Sequence, residues 1–271
     1  MSARTYLFVP GNRSERFAKA LASGADAVVL DLEDAVAADA KVAARDAIAD
    51  WAGSAMPAER ERIVVRINDA ASTHFADDLR LLKETGLAVA MLPKAESADQ
   101  ISLLCAGLSG TQVLALIESA PGVAEVDAIA AAPGVTRLVF GTLDFAFDLD
   151  LDIAECSDGL AYAASRIALA SRLAGRLAPV AGVTPQIDDE ARLLADLALS
   201  RRHGFGAKLC IHPKQVAPIH AALAPSAEAV AWARRVLAAD AASPGAAQLD
   251  GRMVDRPVVL QAQRTLQRAG H

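Results

Sequence analysis

With 271 residues, 53% hydrophobic, 22% charged and 4% aromatic, the chain has ample core for one large barrel or two small domains. A net charge of −6 without a long Lys/Arg stripe excludes a nucleic-acid partner, so an anionic ligand has to meet a local basic cluster. The opening "MSARTYLFVPG" holds too short an apolar run for a signal peptide or membrane anchor, and no later run reaches membrane length without a charge.

Eight short apolar, β-branched runs follow one another, separated by alanine-rich stretches. They are "TYLFVP" from Thr5, "AVVLDLE" from Ala27, "RIVVRIN" from Arg62, "AVAMLPK" from Ala88, "QVLALIES" from Gln112, "RLVFGTLD" from Arg137, "APVAGV" from Ala178 and "AKLCIHP" from Ala207. A start-to-start spacing of about 29 residues suits a repeating strand–helix unit. Between them, Ser14 is placed to cap a helix from Glu15 to Ala22, with Gly24 beyond its end. "DAKVAARDAIADW", "SRIALASRLAG" and Asp188 to Arg202 carry helical spacing, and Pro213 to Leu223 supplies a last barrel helix. The pattern predicts an α/β, TIM-type (β/α)8 barrel over residues 1–223. An open doubly wound sheet is the alternative, disfavoured because no GxGxxG follows the first strand. Residues 224–271 are expected as a C-terminal helical extension: "SAEAVAWARRVLAAD" as one helix, "AASPGAAQLDG" as a connector, and "RMVDRPVVLQAQRTLQRAG" as a closing helix that serves as a lid or oligomer contact. Cys105, Cys156 and Cys210, odd in number and without CxxC spacing, are expected as reduced thiols of a cytoplasmic protein.

Function in such barrels sits at the C-terminal ends of the strands, where the strand-to-helix loops line the mouth. Reading those ends gives Asn12 and Arg13, Glu33 and Asp34, Arg66 and Asn68, Lys94, Glu118, Asp144, Thr184 and His212. Glu118 and Asp144 end consecutive strands about 4.8 Å apart, so both carboxylates are within reach of one ion. Two carboxylates without Cys or His suit a hard cation such as Mg2+; a pair of solvated loop acids is the alternative. Arg66 and Asn68, two residues apart, are expected to point to one side, and an Arg in a mouth suits bidentate recognition of a carboxylate. A structural salt bridge from Arg66 to Glu33 or Asp34 is equally open. His212, before a proline, reads better as a structural hydrogen-bonding residue than as a ligand.

The ordered set "LFVPGNRSERFAKAL", "DAVVLDLEDAV", "RIVVRIN", "MLPKAES", "LALIESAPGV", "FGTLD", "GFGAKLCIHPKQV" and "GRMVDRP" resembles the citrate lyase β-subunit family of the HpcH/HpaI aldolase/citrate lyase superfamily over nearly the whole chain. The resemblance implies a Mg2+-dependent carbon–carbon lyase, often a homotrimer or hexamer, that joins or splits an acyl thioester and a 2-oxo acid. It implies Glu118 and Asp144 as metal ligands, with Glu118 also at the substrate, and Arg66 as the group that binds the oxo-acid carboxylate. Asp255 resembles a lid aspartate acting as catalytic acid or base, and Arg13 and Lys19 lie where members make coenzyme A (CoA) or mouth contacts. Glu33 and Asp34 then read as catalytic-site groups that orient metal-bound water or Arg66 rather than as ligands. Two departures stand out: "FAFDLDLD" follows "GTLD" in place of the usual Leu-Gly pair, and "APVAGVT" lacks an acid near the end of the seventh strand. A metal-dependent aldolase acting on free 2-oxo acids, a citryl lyase subunit serving an acyl-carrier protein, and a catalytically silent ligand-binding barrel are the competing readings.

Overall fold

The computed structural model describes residues 3–108, 110–153, 158–243 and 247–270, so Cys156 lies outside the described residues. Eight parallel strands close on themselves in sequence order: β1 Thr5–Pro10, β2 Ala27–Asp31, β3 Ile63–Arg66, β4 Val89–Leu92, β5 Gln112–Ile117, β6 Val135–Phe140, β7 Val180–Ala181 and β8 Ala207–Cys210. The last pairs with the first through Thr5–Lys208, Tyr6–Leu209 and Leu7–Cys210, which leaves no open sheet edge. The expected barrel is thus the observed fold.

Alternation along the strands sorts the apolar residues into two layers. Tyr6, Val29, Val64, Met91, Leu114, Leu116, Val139, Val180 and Leu209 pack together inside the barrel. Their neighbours, including Leu7, Leu30, Val65, Leu92 and Phe140, are equally buried and face the outer helices. Each such aliphatic side chain contributes about 1.5–3 kcal/mol on full burial, so the wall itself supplies much of the stability. The interior carries one arginine toward each end. At the N-terminal end Arg137, 2% exposed, donates to the carbonyls of Ala178 and Ala3, both at 2.6 Å, and to the Tyr6 hydroxyl at 3.2 Å. At the other end Arg66 lies over the Phe8 ring, 5.0 Å from its centroid.

Local boundaries depart from the sequence reading where short-range chemistry differs. The first helix begins as a 3-10 turn at Ser14–Arg16 and runs Phe17–Leu21; Arg13 occupies the capping position and the Ser14 side chain makes no cap. The expected seventh strand shrinks to Val180–Ala181. The helix expected from Asp188 runs Glu190–Arg202, its first turn closed by the Asp189 carboxylate accepting from Arg192 N at 2.9 Å.

The described chain divides into two compact units between Ile219 and His220, within the helix Val216–Leu223. The second unit contains the helix Ala227–Ala242, the antiparallel strands β9 Ala247–Leu249 and β10 Arg252–Val254, and the helix Arg256–Ala269. Its two helices close over Ala233, Val236, Val254 and Ala262. The stretch expected as connector plus one helix therefore holds a hairpin, turned at Asp250 and Gly251, both at positive φ. Among the described residues no helix is long and apolar enough to cross a membrane.

Candidate active site

Asp31 closes β2 and, at 1% exposure, is the most deeply buried acid of the mouth. Backbone amides hold it in place: Glu33 N donates to Oδ1 at 2.9 Å and Ala35 N to Oδ2 at 3.0 Å. It presents both oxygens to Arg66 at the end of β3, accepting from Nε at 2.7 Å and Nη2 at 2.6 Å. This two-point pair fixes the guanidinium plane as well as its charge. The salt bridge anticipated for Arg66 therefore exists, but its main partner is Asp31. Asp34 is peripheral, 3.9 Å from Nη1.

Glu33 sits between two cations. Lys94 Nζ donates to Oε1 at 2.6 Å, and Arg66 Nη1 lies 2.8 Å from Oε2. The latter contact is out of line for a hydrogen bond, so this buried oxygen has no donor among the described residues. Burial raises the Glu33 pKa, opposed by Arg66 and Lys94. The main chain beneath is anchored by Lys41, whose Nζ donates to the Leu32 carbonyl at 2.7 Å, the Glu33 carbonyl at 3.0 Å and Asn68 Oδ1 at 2.6 Å. Asn68 in turn donates from N and Nδ2 to Asp78 Oδ2, each at 2.7 Å. Asn68 thus belongs to a buried supporting network and does not join Arg66, because β3 ends at Arg66 and the two-residue alternation stops with it.

Glu118 follows β5 and is 4% exposed. Its Oε1 accepts from Lys94 N at 2.8 Å, and Lys94 adopts φ 47°, a left-handed conformation costly for a non-glycine residue. That turn lets one lysine serve two acids, its amide on Glu118 and its ammonium on Glu33. Burial pushes the Glu118 carboxyl up to about 8; the Lys94 amide opposes this, and the negative charges of Glu33 and Asp144 add to it. Asp144 occupies the first turn of the helix Thr142–Asp148 and is exposed, so it reaches the site from a helix after β6 rather than from the strand end.

Glycine at 141 is what leaves room for Glu118. A Cβ there would stand 2.5 Å from Glu118 Oε2 and 2.6 Å from Glu118 Cβ. Gly141→Ala is expected to keep the fold, since φ −83° admits any residue, while shifting the Glu118 carboxylate. Cation affinity should fall at least tenfold by titration calorimetry, and the crowding of the Glu118 Cβ should cost about 1–3 kcal/mol of stability in denaturant unfolding.

The residue set fits a hard cation. A carboxyl that burial, with its acidic neighbours adding, keeps from ionising, the exposed Asp144 carboxylate near it, and an unsatisfied Glu33 oxygen together form an excess of acid over Arg66 and Lys94. Among the described residues no three His, Cys, Asp or Glu side chains group as a complete cage, so water and substrate oxygens would complete the coordination.

Arg13 is exposed, with Nε on Glu15 Oε1 at 2.6 Å, and Lys19 is exposed on the first helix. His212 caps a 3-10 turn, Nδ1 accepting from Lys214 N at 3.2 Å, a structural role as anticipated. Thr184 donates to Asp196 Oδ2 at 2.7 Å in the outer layer. Asp255, in the second unit, caps the helix Arg256–Ala269 by accepting from Val258 N at 3.1 Å. Sequence reasoning gave Asp31 and Lys94 no assigned role. Asp31 was visible as the acid sharing a strand face with Glu33, whereas nothing in "LPKAES" signals the positive φ of Lys94.

Residues 4–213 match the model of the HpcH/HpaI aldolase/citrate lyase family. A citrate lyase subunit beta-like protein of Mycobacterium tuberculosis is 41% identical over 98% of this chain and 95% of its own length. A (3S)-malyl-CoA thioesterase of Cereibacter sphaeroides is 32% identical over 98% and 94%. The crystal structure of M. tuberculosis CitE in complex with magnesium, acetoacetate and coenzyme A superposes with a TM-score of 0.88 at 39% identity, covering 100% of this chain and 99% of that one. On this match and on the barrel just described, the chain is an enzyme of the lyase class and belongs to the HpcH/HpaI aldolase/citrate lyase family.

Proposed function

We propose that the protein is a Mg2+-dependent carbon–carbon lyase that cleaves or forms a 3-hydroxyacyl-CoA thioester, of the citramalyl-, malyl- or citryl-CoA type, with acetyl-CoA and a 2-oxo acid as the other side of the reaction. The observation that carries this reading is the pairing of buried Glu118 with Asp144 beside an Arg66 that Asp31 holds rigid. Magnesium, acetoacetate and coenzyme A in the similar CitE crystal, and pyruvate in another, supply the ligand classes.

Glu118 and Asp144 would hold the ion, which when bound supplies a Lewis acid for the substrate oxygens. Arg66 binds the carboxylate of the oxo-acid half, and its two bonds to Asp31 keep it from swinging, so that the bond to be broken is aligned. Glu33 positions Arg66 and Lys94, and with Asp34 would orient metal-bound water, through which the hydroxyl proton would leave. As the carbon–carbon bond breaks, its electron pair stays on the thioester fragment, whose carbon takes a proton from Asp255; in condensation the same carboxylate removes that proton. Arg13 and Lys19 would meet the CoA phosphates. The C-terminal unit would act as a lid in a homo-oligomer, trimer or hexamer.

Asp255→Asn separates the roles of Asp255, since Asn also caps a helix. Turnover should fall about 10²–10⁴-fold with the melting temperature and Mg2+ affinity unchanged. Activity near wild type would remove Asp255 from the chemistry.

Proton linkage gives a second check. The folded Glu118 pKa of about 8 lies above the unfolded value of 4.5, so folded protein keeps a proton that unfolded chain loses. Metal-free stability is therefore expected to fall as pH rises from about 4.5 to about 8 and to level off above. Because Mg2+ has to displace that proton, its affinity should rise about tenfold per pH unit toward pH 8, with one proton released. Titration calorimetry in two buffers of different ionisation enthalpy reads this directly.

Assaying CoA thioesters against free hydroxy-oxo acids tests the substrate class. Cleavage of the thioesters supports the proposal; cleavage of free acids alone would make the protein an aldolase.

A further inference from the structure

Outside the mouth, the cluster that the proposed chemistry leaves unused surrounds Lys208. Ala207 and Leu209 point into the barrel, so Lys208 between them points outward, toward the helices Ala161–Leu173 and Glu190–Arg202. It is 1% exposed, and its one side-chain hydrogen bond among the described residues runs from Nζ to the Gly182 carbonyl at 2.8 Å. An ammonium has three donors, so two are left over at a depth where polar groups are normally satisfied.

Those donors border a cavity of about 90 Å³ between the outer wall and the two helices, with Leu160, Leu199 and Phe205 on its apolar side. Arg192 and Asp196 also line it. Asp196 is already engaged, accepting from Arg192 Nε at 2.8 Å and from the Thr184 hydroxyl at 2.7 Å. Both donors leave Asp196 occupied, and Lys208 Nζ makes no salt bridge among the described residues. Burial lowers the Lys208 pKa to about 8, with Asp196 opposing, so the amine is still mainly charged at neutral pH.

We infer that this cavity is a binding site for a short-chain monocarboxylate, its carboxylate on Lys208 and its hydrocarbon against Leu160, Leu199 and Phe205. The buried Lys208 ammonium with two donors left over selects an anion, and the apolar wall selects a hydrocarbon body over phosphate or sulfate. The size limits that body to about three or four carbons, since an apolar cavity of about 150 Å³ accommodates benzene. The site is separate from the mouth because Lys208 lies on the opposite face of the barrel wall from Arg66 and Glu118. Thr142 and Leu143, which precede Asp144, line the same cavity. An occupant would therefore also brace the segment that carries Asp144.

Isobutyrate is the probe, with ligand-observed saturation-transfer NMR and calorimetry on the full chain. Binding is expected to the wild type and to Glu118→Gln alike. It should weaken at least tenfold in Lys208→Met, which keeps the stem without the charge, and in Ala164→Leu, which fills the cavity from its helix. Isobutyramide should not bind. Should Lys208→Met fail to fold, Ala164→Leu and the amide carry the test. No isobutyrate binding to the wild type, equal binding to the variants, equal binding of the amide, or loss of binding in Glu118→Gln would each overturn the inference.

Discussion

Glu118→Gln is expected to remove measurable Mg2+ binding and to cut turnover by about 10³-fold, yet to leave a folded protein. The second half follows from the site itself. With its carboxyl pushed up to about 8, Glu118 is mostly protonated in the metal-free protein at neutral pH, and a Gln amide resembles that neutral acid in size and shape. Its oxygen can still accept from the Lys94 amide. Keeping a carboxyl in such surroundings costs about 3 kcal/mol at pH 7 relative to an ordinary exposed one, and the amide escapes most of that. Melting curves in EDTA check the point: the wild type should lose stability between pH 5 and pH 8, while the variant stays level. A variant that is much less stable at both pH values would show that Glu118 is needed for folding rather than for metal.

Arg66 carries the other large effect, and here activity and stability should fall together. Arg66→Met leaves Asp31 buried with only the amides of Glu33 and Ala35 for company, and Glu33 with Lys94 alone. Breaking one side of a buried pair costs about 3–5 kcal/mol, because the remaining charge is stranded. The double variant Asp31→Asn/Arg66→Met should recover part of that stability and none of the activity. Arg66→Lys retains the charge but not the two-point geometry, so its kcat/KM should drop about 10²-fold or more while stability drops less than in Arg66→Met. Denaturant unfolding and kcat/KM on the same preparations separate these contributions. Recovery of activity in the double variant would mean that Arg66 only neutralises Asp31.

How far the sequence carried depends on the range of the forces involved. The eight strands were legible because a fully buried parallel strand has to be a continuous apolar run, and "VVL", "IVV" and "VLALI" are such runs. The shrinkage of β7 to two residues was not, since "APVAGV" reads as apolar whether or not it pairs. The hairpin before Asp255 was hidden for a related reason: three-residue strands carry too little periodicity to register against flanking helices. At the site, residue types and strand ends pointed to Glu118, Asp144 and Arg66, but partner choice did not follow. Asp31, not Glu33 or Asp34, takes the two-point Nε/Nη2 edge of Arg66, because β2 and β3 align Asp31 with Arg66 in register. Lys94 was legible as a polar strand end, but the positive φ that puts its amide on Glu118 was not. Both depend on tertiary register and backbone conformation, which composition and spacing do not encode.

The central claim is metal-dependent cleavage of a carbon–carbon bond in a CoA thioester, and product stoichiometry tests it most directly. The full chain would be given malyl-, citramalyl- and citryl-CoA with Mg2+ or with EDTA, and the products quantified by mass spectrometry. The account predicts acetyl-CoA and a 2-oxo acid in equal amounts from at least one of these thioesters, only when Mg2+ is present. Free CoA with the intact hydroxy acid, or cleavage undiminished in EDTA, would contradict it.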